Sequence, residues 1–308
     1  MELDRVDPAL RDAVQRMRGV PLAHPLGRAL GRLGPRLMRW PRVEGVRIGR
    51  GRLGAAGGRR VRVRTYSPPV RRTDAVLLWI HGGGMVIGAP HMDDLFCTEL
   101  SAGLGLRIAS VDYRLAPEHP FPAPLDDCAA AFAGLVRRGH RRIAVGGQSA
   151  GGGLAAALAQ RLLDEGGQQP IAQLLLCPML DDRTAADRAA DATEHFVWNN
   201  RSNLLGWQSL LGAGPGAAET PPHAVPARRT DLAGLPPAWI GVGDIDLFHD
   251  EDADYAERLR AAGVDAELLV VPGAPHGFES IAAETEPAIA FRAAAQRWLG
   301  ERVVQPAP

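Results

Sequence analysis

The chain has 308 residues, of which 46% are hydrophobic, and its 35 basic and 35 acidic side chains give a formal net charge of zero. That length buries a large core but is long for one simple domain and short for two full ones, so one catalytic domain with an accessory lid fits best. All 35 basic residues are arginine, which excludes a Walker-A lysine, a Schiff-base lysine and a Ser-x-x-Lys nucleophile pair, while balanced charge without a long single-sign run argues against nucleic-acid binding.

Cys97, Cys128 and Cys177 are odd in number, far apart and in apolar surroundings. They read as reduced core thiols. The opening Met-Glu-Leu-Asp-Arg lacks a signal-peptide apolar stretch, and no run of about 18 apolar residues exists to span a membrane, so the expected compartment is cytoplasmic.

Apolar residues recur at helical spacing as Leu10, Val14 and Met17, and again as Leu26, Leu30, Leu33 and Leu37. Arg28, Arg32, Arg36 and Arg39 fall on another face. The reading adopted is the solvated side of a lid helix rather than a lipid-binding surface, with Gly34-Pro35 breaking the segment too early for a strong membrane anchor. Residues 43–48 and 59–66 then read as antiparallel strands joined by a turn from Gly54 to Gly58.

Residues 75–80, Ala-Val-Leu-Leu-Trp-Ile, form the continuous apolar run of a strand buried on both faces. It ends in His81-Gly82-Gly83-Gly84-Met85, an HGGG-type loop of the kind that supplies oxyanion-hole N–H groups. A phosphate-cradling loop would want G-x-G-x-x-G or a lysine, and neither is present. A helical pattern through Leu104, a strand at 106–112 and the run Asp112-Tyr113-Arg114-Leu115-Ala116-Pro117-Glu118-His119-Pro120-Phe121-Pro122-Ala123 follow. Next, a β-prone run at 142–147 leads through Gly147-Gln148-Ser149-Ala150-Gly151 into an alanine- and leucine-rich helical pattern. This is the G-x-S-x-G nucleophile elbow, a tight strand-to-helix turn that exposes its serine hydroxyl. With seven serines and 36 glycines, chance gives roughly 0.1 such matches per chain, so its specificity comes from the strand before and the helix after.

The HGGG loop, the DYRLAPEHPFPA run and GQSAGG, in that order, closely resemble the hormone-sensitive-lipase family of α/β-hydrolases, which includes many bacterial carboxylesterases. The resemblance runs from about residue 40 to about residue 300 and weakens before that. Two departures stand out. Gln148 occupies the position where the family usually has aspartate, which removes a negative charge beside the serine. Met85 follows the glycines where the family commonly carries an aromatic residue, which reshapes the acyl pocket.

A further buried strand is expected at 171–177. Residues 181–225 then leave the β-α rhythm, with His195, Phe196, Trp198, Leu204, Leu205 and Trp207 among polar residues, as expected of a lid or binding element. The family places a helical cap insertion here, packed with the N-terminal helices over the active site. The expected organisation is therefore residues 1–40 as the first part of the cap, and 41–308 as the catalytic domain with a cap insertion at about 181–225. The aromatics divide between cap core and substrate contact, with Met85, Phe196, Trp198 and Trp207 the candidate substrate residues.

A strand at 238–243 is followed by Asp244 and Asp246, both placed where a triad acid belongs when the chain order is Ser, acid, His. The family pattern of a catalytic aspartate followed four residues later by Asp-Glu fits Asp246, with Asp250 and Glu251 behind it. Asp244 is then a turn residue. Helix 252–263 and strand 266–271 lead to His276, on a loop before a closing helix at 284–300, where the general base belongs. His249 is its rival but lies close to the acid in sequence.

These readings predict an α/β-hydrolase fold, a mostly parallel eight-stranded sheet with helices on both faces and a helical cap. They give a serine carboxylesterase with Ser149, His276 and Asp246 as triad and the N–H groups of Gly83, Gly84 and Ala150 as oxyanion hole, needing no metal or organic cofactor. The resemblance implies esters of short to medium acyl chain as substrates. An amidase or arylformamidase would use the same groups, whereas a non-catalytic receptor on this fold typically loses a triad member. The expected partner is a small-molecule ester, without nucleic acid or a stable membrane anchor; a homodimer is left open.

Overall fold

In the computed structural model, which describes residues 1–17, 22–54 and 58–304, the long apolar runs become strands and the Ala/Leu-rich patterns become helices. In chain order these are α1 (Arg11–Arg16), α2 (Pro25–Leu37), β1 (Arg47–Leu53), β2 (Val61–Ser67), β3 (Val76–Ile80), α3 (Asp94–Leu104), β4 (Arg107–Asp112) and α4 (Ala123–Arg137). There follow β5 (Ile143–Gln148), α5 (Ala150–Glu165), β6 (Gln173–Leu176), α6 (Asp182–Ala186), α7 (Asn200–Leu211), β7 (Ala238–Gly243), α8 (His249–Ala261), β8 (Ala266–Val271), α9 (Phe278–Ile281) and α10 (Glu286–Val303). The eight strands form one sheet in the order β1-β2-β4-β3-β5-β6-β7-β8. Only the two entry pairings, β1 with β2 and β2 with β4, are antiparallel.

Strand pleating divides the core in two. Val76, Leu78 and Ile80 of β3 point to one face, where they meet Phe132 of α4, Leu154 and Leu158 of α5 and Tyr255 of α8. Leu77 and Trp79 point to the other, packed with Phe96 and Leu100 of α3 and Phe291 and Trp298 of α10. The three cysteines are buried and unpaired. Among the described residues no helix is long and apolar enough to cross a membrane.

Register places the working loops side by side. Ile80 pairs with Gly147, Gln148 with Leu176 and Gly243 with Val271. The HGGG loop, the elbow, the Asp246 turn and the His276 loop therefore all leave the same, C-terminal edge of the parallel strands, which is where open α/β sheets bind ligands.

Three expectations at the N-terminal end need correction. The first entry strand begins at Arg47 rather than at residue 43, because the antiparallel register with β2 runs from Arg47 opposite Ser67 to Leu53 opposite Val61. The turn expected from Gly54 to Gly58 lies partly outside the described residues. Second, α2 is not broken at Gly34-Pro35 but runs through Pro35 to Leu37. A proline leaves the carbonyl four residues back without its helical donor; here Gly31 O accepts the Gly88 N–H at 3.2 Å instead. Gly31 also lets the two segments meet, since a Cβ there would lie 2.8 Å from Ile87.

The third correction concerns the arginines of α2. Arg28 bonds the carbonyls of Leu22 and Ala23, Arg32 reaches Val86 O, Ala116 O and Glu118, and Arg36 grips both oxygens of Asp112. Arg28, Arg32 and Arg36 thus face the protein, Arg39 stays exposed, and the leucines face outward. Helical periodicity of charge and apolarity defines two faces but does not say which one the body takes.

Candidate active site

The elbow serine sits at φ 55°, ψ −122°, in the positive-φ region that costs a non-glycine residue strain and is tolerated where neighbours over-determine it. Its N–H donates to Leu176 O at 2.8 Å, and its carbonyl accepts from Gly153 and Met179. Both flanking glycines are required by closeness: a Cβ at Gly151 would run into Ile80 O, and one at Gly147 would meet Ile80 O at 2.6 Å.

From this turn a hydrogen-bond chain runs into the protein. Ser149 Oγ lies 2.9 Å from His276 Nε2, and His276 Nδ1 lies 2.8 Å from Asp246 Oδ2. Since the carboxylate only accepts, Nδ1 carries the proton and Nε2 is left to accept from the serine. Asp246 Oδ1 accepts the Phe248 N–H. Asp244, by contrast, is exposed and accepts the Gly273 N–H at 2.6 Å, holding the start of the histidine loop. His249 bonds Asp250 and does not reach the serine.

Burial disfavours the His276 cation, yet the charges of Asp246 and Glu279 outweigh it and its pKa stands above the ordinary histidine value. Phe248 packs edge-on against the imidazole at 5.2 Å. No motif in the sequence gives Phe248 or Glu279 a role; only their positions, two after Asp246 and three after His276, hint at one. Glu279, raised by burial, accepts from Gln148 Nε2, which also reaches Ser280 Oγ at 3.2 Å. The amide at 148 therefore donates to a carboxylate that an aspartate there would oppose.

Beside the serine, Gly83 and Gly84 adopt φ of 116° and 57°. The N–H groups of Gly83, Gly84 and Ala150 donate to no acceptor among the described residues. Ala150 is the first residue of α5, so its N–H also carries the positive end of the helix dipole. The loop is braced from below: buried His81, its pKa lowered to about 4 by burial, places Nδ1 2.8 Å from Gly82 O and stacks on Tyr113 at 4.3 Å. Tyr113 Oη donates to His81 O. A role for Tyr113 was visible in sequence only as part of the DYRLAPEHPFPA run.

From above, Trp198 lies against the loop so closely that a Cβ on Gly84 would strike its ring, and its ring centre is 6.5 Å from that of His276. Gly206 of α7 abuts Gly84 O. Phe196 is half-buried and packs against the second core cluster. Met85 and Trp207, also expected as substrate contacts, are 2% and 0% exposed and, like Trp198 at 7%, belong to the first core cluster; they shape the loop and the 181–225 segment from within. His195 bonds its neighbour Thr193 O.

Cys177, Asp246 and His276 offer donor atoms within 4.8 Å of one another. Burial pushes the thiol up, and the other two are bonded to each other, so a metal there would have to deprotonate a buried thiol and break the His276–Asp246 hydrogen bond.

The chain is similar over residues 77–280 to the family described as alpha/beta hydrolase fold. It is 38% identical to esterase LipI of Mycobacterium tuberculosis over 226 residues, 70% of each chain, and 36% identical to carboxylesterase NlhH of the same organism over 246 residues, 77% of each. Among solved structures, a bacterial heroin esterase superposes with a TM-score of 0.89 at 34% identity, covering 98% of this chain and 99% of that one. Esterase LipW of Mycobacterium marinum gives 0.84 at 33%, covering 97% and 96%. On the sheet order, the elbow between β5 and α5 and these likenesses together, the chain belongs to the alpha/beta hydrolase fold family, in its hormone-sensitive-lipase-like branch.

Proposed function

We propose that this chain is a cytoplasmic carboxylic ester hydrolase that works through an acyl-serine intermediate. The reading rests above all on the unbroken chain Ser149 Oγ, His276 Nε2, His276 Nδ1 and Asp246 Oδ2, with links of 2.9 and 2.8 Å, and is supported by relatives named esterase and carboxylesterase. Ser149 Oγ attacks the ester carbonyl as His276 Nε2 takes its proton. The negative charge that develops on the carbonyl oxygen is met by the N–H groups of Gly83, Gly84 and Ala150, each of the kind whose loss costs about 3 to 4 kcal/mol. His276 then returns the proton to the leaving alcohol. In the second half it takes a proton from water, whose oxygen attacks the acyl carbon, and gives it back to Ser149 as the acid departs.

The helical segments 1–40 and 181–225 form a cap in this reading. Trp198 narrows the approach to Ser149 and favours short over long acyl chains. Turnover of a chromogenic ester series from acetate to hexadecanoate, with Ser149→Ala as control, tests both statements. Butanoate should outpace the long chains, and the variant should lose about 10⁶-fold in kcat while keeping its circular dichroism. Full activity in Ser149→Ala would remove the nucleophile, and faster turnover of hexadecanoate would remove the short-chain reading. An anilide and a formanilide run alongside separate esterase from amidase and arylformamidase action.

A further inference from the structure

Helix α2 presents its apolar side to solvent. Leu26, Leu30, Leu33 and Leu37 are 62, 61, 54 and 75% exposed, and Met38 continues the ridge. A helix on a folded body ordinarily turns such a stripe inward. Here the body is held from the opposite face, by Arg32 on Val86, Ala116 and Glu118, by Arg36 on Asp112 and by the Gly31–Gly88 hydrogen bond. The leucines make none of these contacts, so four large apolar side chains in a row remain exposed and without a partner among the described residues.

Beside the C-terminal end of the ridge the surface becomes basic. An open groove of about 510 Å³ is lined by Arg36, Arg50, Arg52, Arg60, Arg62 and Arg64, with Asp112 the one carboxylate in its wall. Asp112 is already shared between Arg36 and Arg62, and Arg64 is held by Asp94. Arg50, Arg52 and Arg60 are exposed and form no ion pair among the described residues. A hollow of about 380 Å³ lined by Met38, Arg39, Trp40, Arg42, Arg64, His91 and Asp94 lies between ridge and groove. A stripe of leucines continuous with unpaired arginines is the composition that an interface of acyl chains beneath anionic headgroups accepts.

We propose that the α2 ridge and the arginine groove dock this protein reversibly on an anionic phospholipid bilayer. Leu26, Leu30, Leu33 and Leu37 enter the boundary of the acyl region, and Arg50, Arg52 and Arg60 meet headgroup phosphates. A second copy is the weaker occupant: pairing ridge on ridge would bring together two surfaces whose adjoining Arg50, Arg52 and Arg60 form no ion pair among the described residues and whose groove wall offers only Asp112, already shared between Arg36 and Arg62. The inference concerns where the protein sits and does not depend on which bond it hydrolyses. Its link to the site is mechanical, since α2 is bonded to Val86 and Gly88 just past Gly83 and Gly84.

The test is flotation of the full chain with unilamellar vesicles of phosphatidylcholine alone or mixed with phosphatidylglycerol, at low and high salt. Leu33→Ser/Leu37→Ser and Arg50→Gln/Arg60→Gln are run alongside, each checked for folding by circular dichroism. The wild type should float with the anionic vesicles at low salt and not with phosphatidylcholine alone. The leucine pair should lower partition about tenfold or more. The arginine pair should lower it about fivefold per residue removed and flatten the salt dependence. The proposal is overturned if the wild type fails to float with anionic vesicles, or if both variants float as it does. It is equally overturned if sedimentation equilibrium shows a wild-type dimer that Leu33→Ser/Leu37→Ser dissociates, which would give the ridge to a second copy.

Discussion

Asp244 and Asp246 leave β7 two residues apart and bond different partners, one the backbone of Gly273 and the other the His276 imidazole. An asparagine at 246 can present an N–H where the carboxylate only accepts, which favours the wrong imidazole tautomer. Asp246→Asn should therefore lose about 10⁴-fold in kcat, roughly 5.5 kcal/mol. Asp244→Asn keeps an acceptor oxygen for Gly273 and should cost about 1 kcal/mol of stability with little change in kcat. Steady-state kinetics on one soluble ester decide the matter, and a larger loss at 244 would move the triad acid. In the proposed mechanism the acid limb of kcat/KM belongs to His276, which accepts the serine proton only when neutral. Burial acts against its cation, but Asp246 and Glu279 raise its pKa above the ordinary histidine value of about 6.5. Activity should thus rise with pH through a group above that value, and Glu279→Gln, by removing one of the two charges that favour the cation, should move the limb to lower pH. An unmoved limb would sever Glu279 from the imidazole. The serine, the histidine and both aspartates were legible as residues. The Gln148–Glu279 contact was not, because it joins positions 131 apart in sequence.

The element-scale feature that matters most for the site is how the 181–225 segment is tied at its root. Asp182, whose side chain has no exposed surface, accepts from Arg228 Nε and Nη2 and from Gly216 N–H, so it closes the segment's two ends on each other. Glu251 accepts from the Leu180 and Asp181 N–H groups and from Thr184, anchoring the same root to α8. Breaking a buried ion pair from one side leaves an uncompensated charge, at a cost of about 3 to 5 kcal/mol; because the Arg228 side chain is 17% exposed, the lower end applies to Arg228→Met. Urea denaturation should show the lower midpoint, and the double variant Arg228→Met/Asp182→Leu should recover much of it. A midpoint unchanged in the single variant would mean that the pair adds nothing. At this scale the apolar runs at 75–80 and 238–243 became strands almost to the residue, as patterns with only one way to be buried do. Helix α2 shows where periodicity stops. Its two faces were plain in sequence, but the choice between them was made by Val86, Ala116, Glu118 and Asp112, contacts that periodicity does not encode.

Across the whole molecule, the site exists because the loops after β3, β5, β7 and β8 leave one edge of a single sheet. The Asp246 and His276 loops follow neighbouring strands, as do the HGGG loop and the elbow, while β6 separates the two pairs. By itself the sequence determined the fold class, and it carries the glycine-rich loop and, in the order Ser149, Asp246, His276, the residues of the proposed triad. Each of these is a local pattern: a buried run, a strand-turn-helix with close-approach glycines, or a motif at a strand end. Only the tertiary structure decided that Met85, Trp198 and Trp207 share one buried cluster with Trp198 against Gly84, that Gln148 answers Glu279, and that the leucines of α2 look outward beside a groove of arginines. These outcomes depend on which distant side chain arrives first at a given surface, and spacing along the chain carries no information about that.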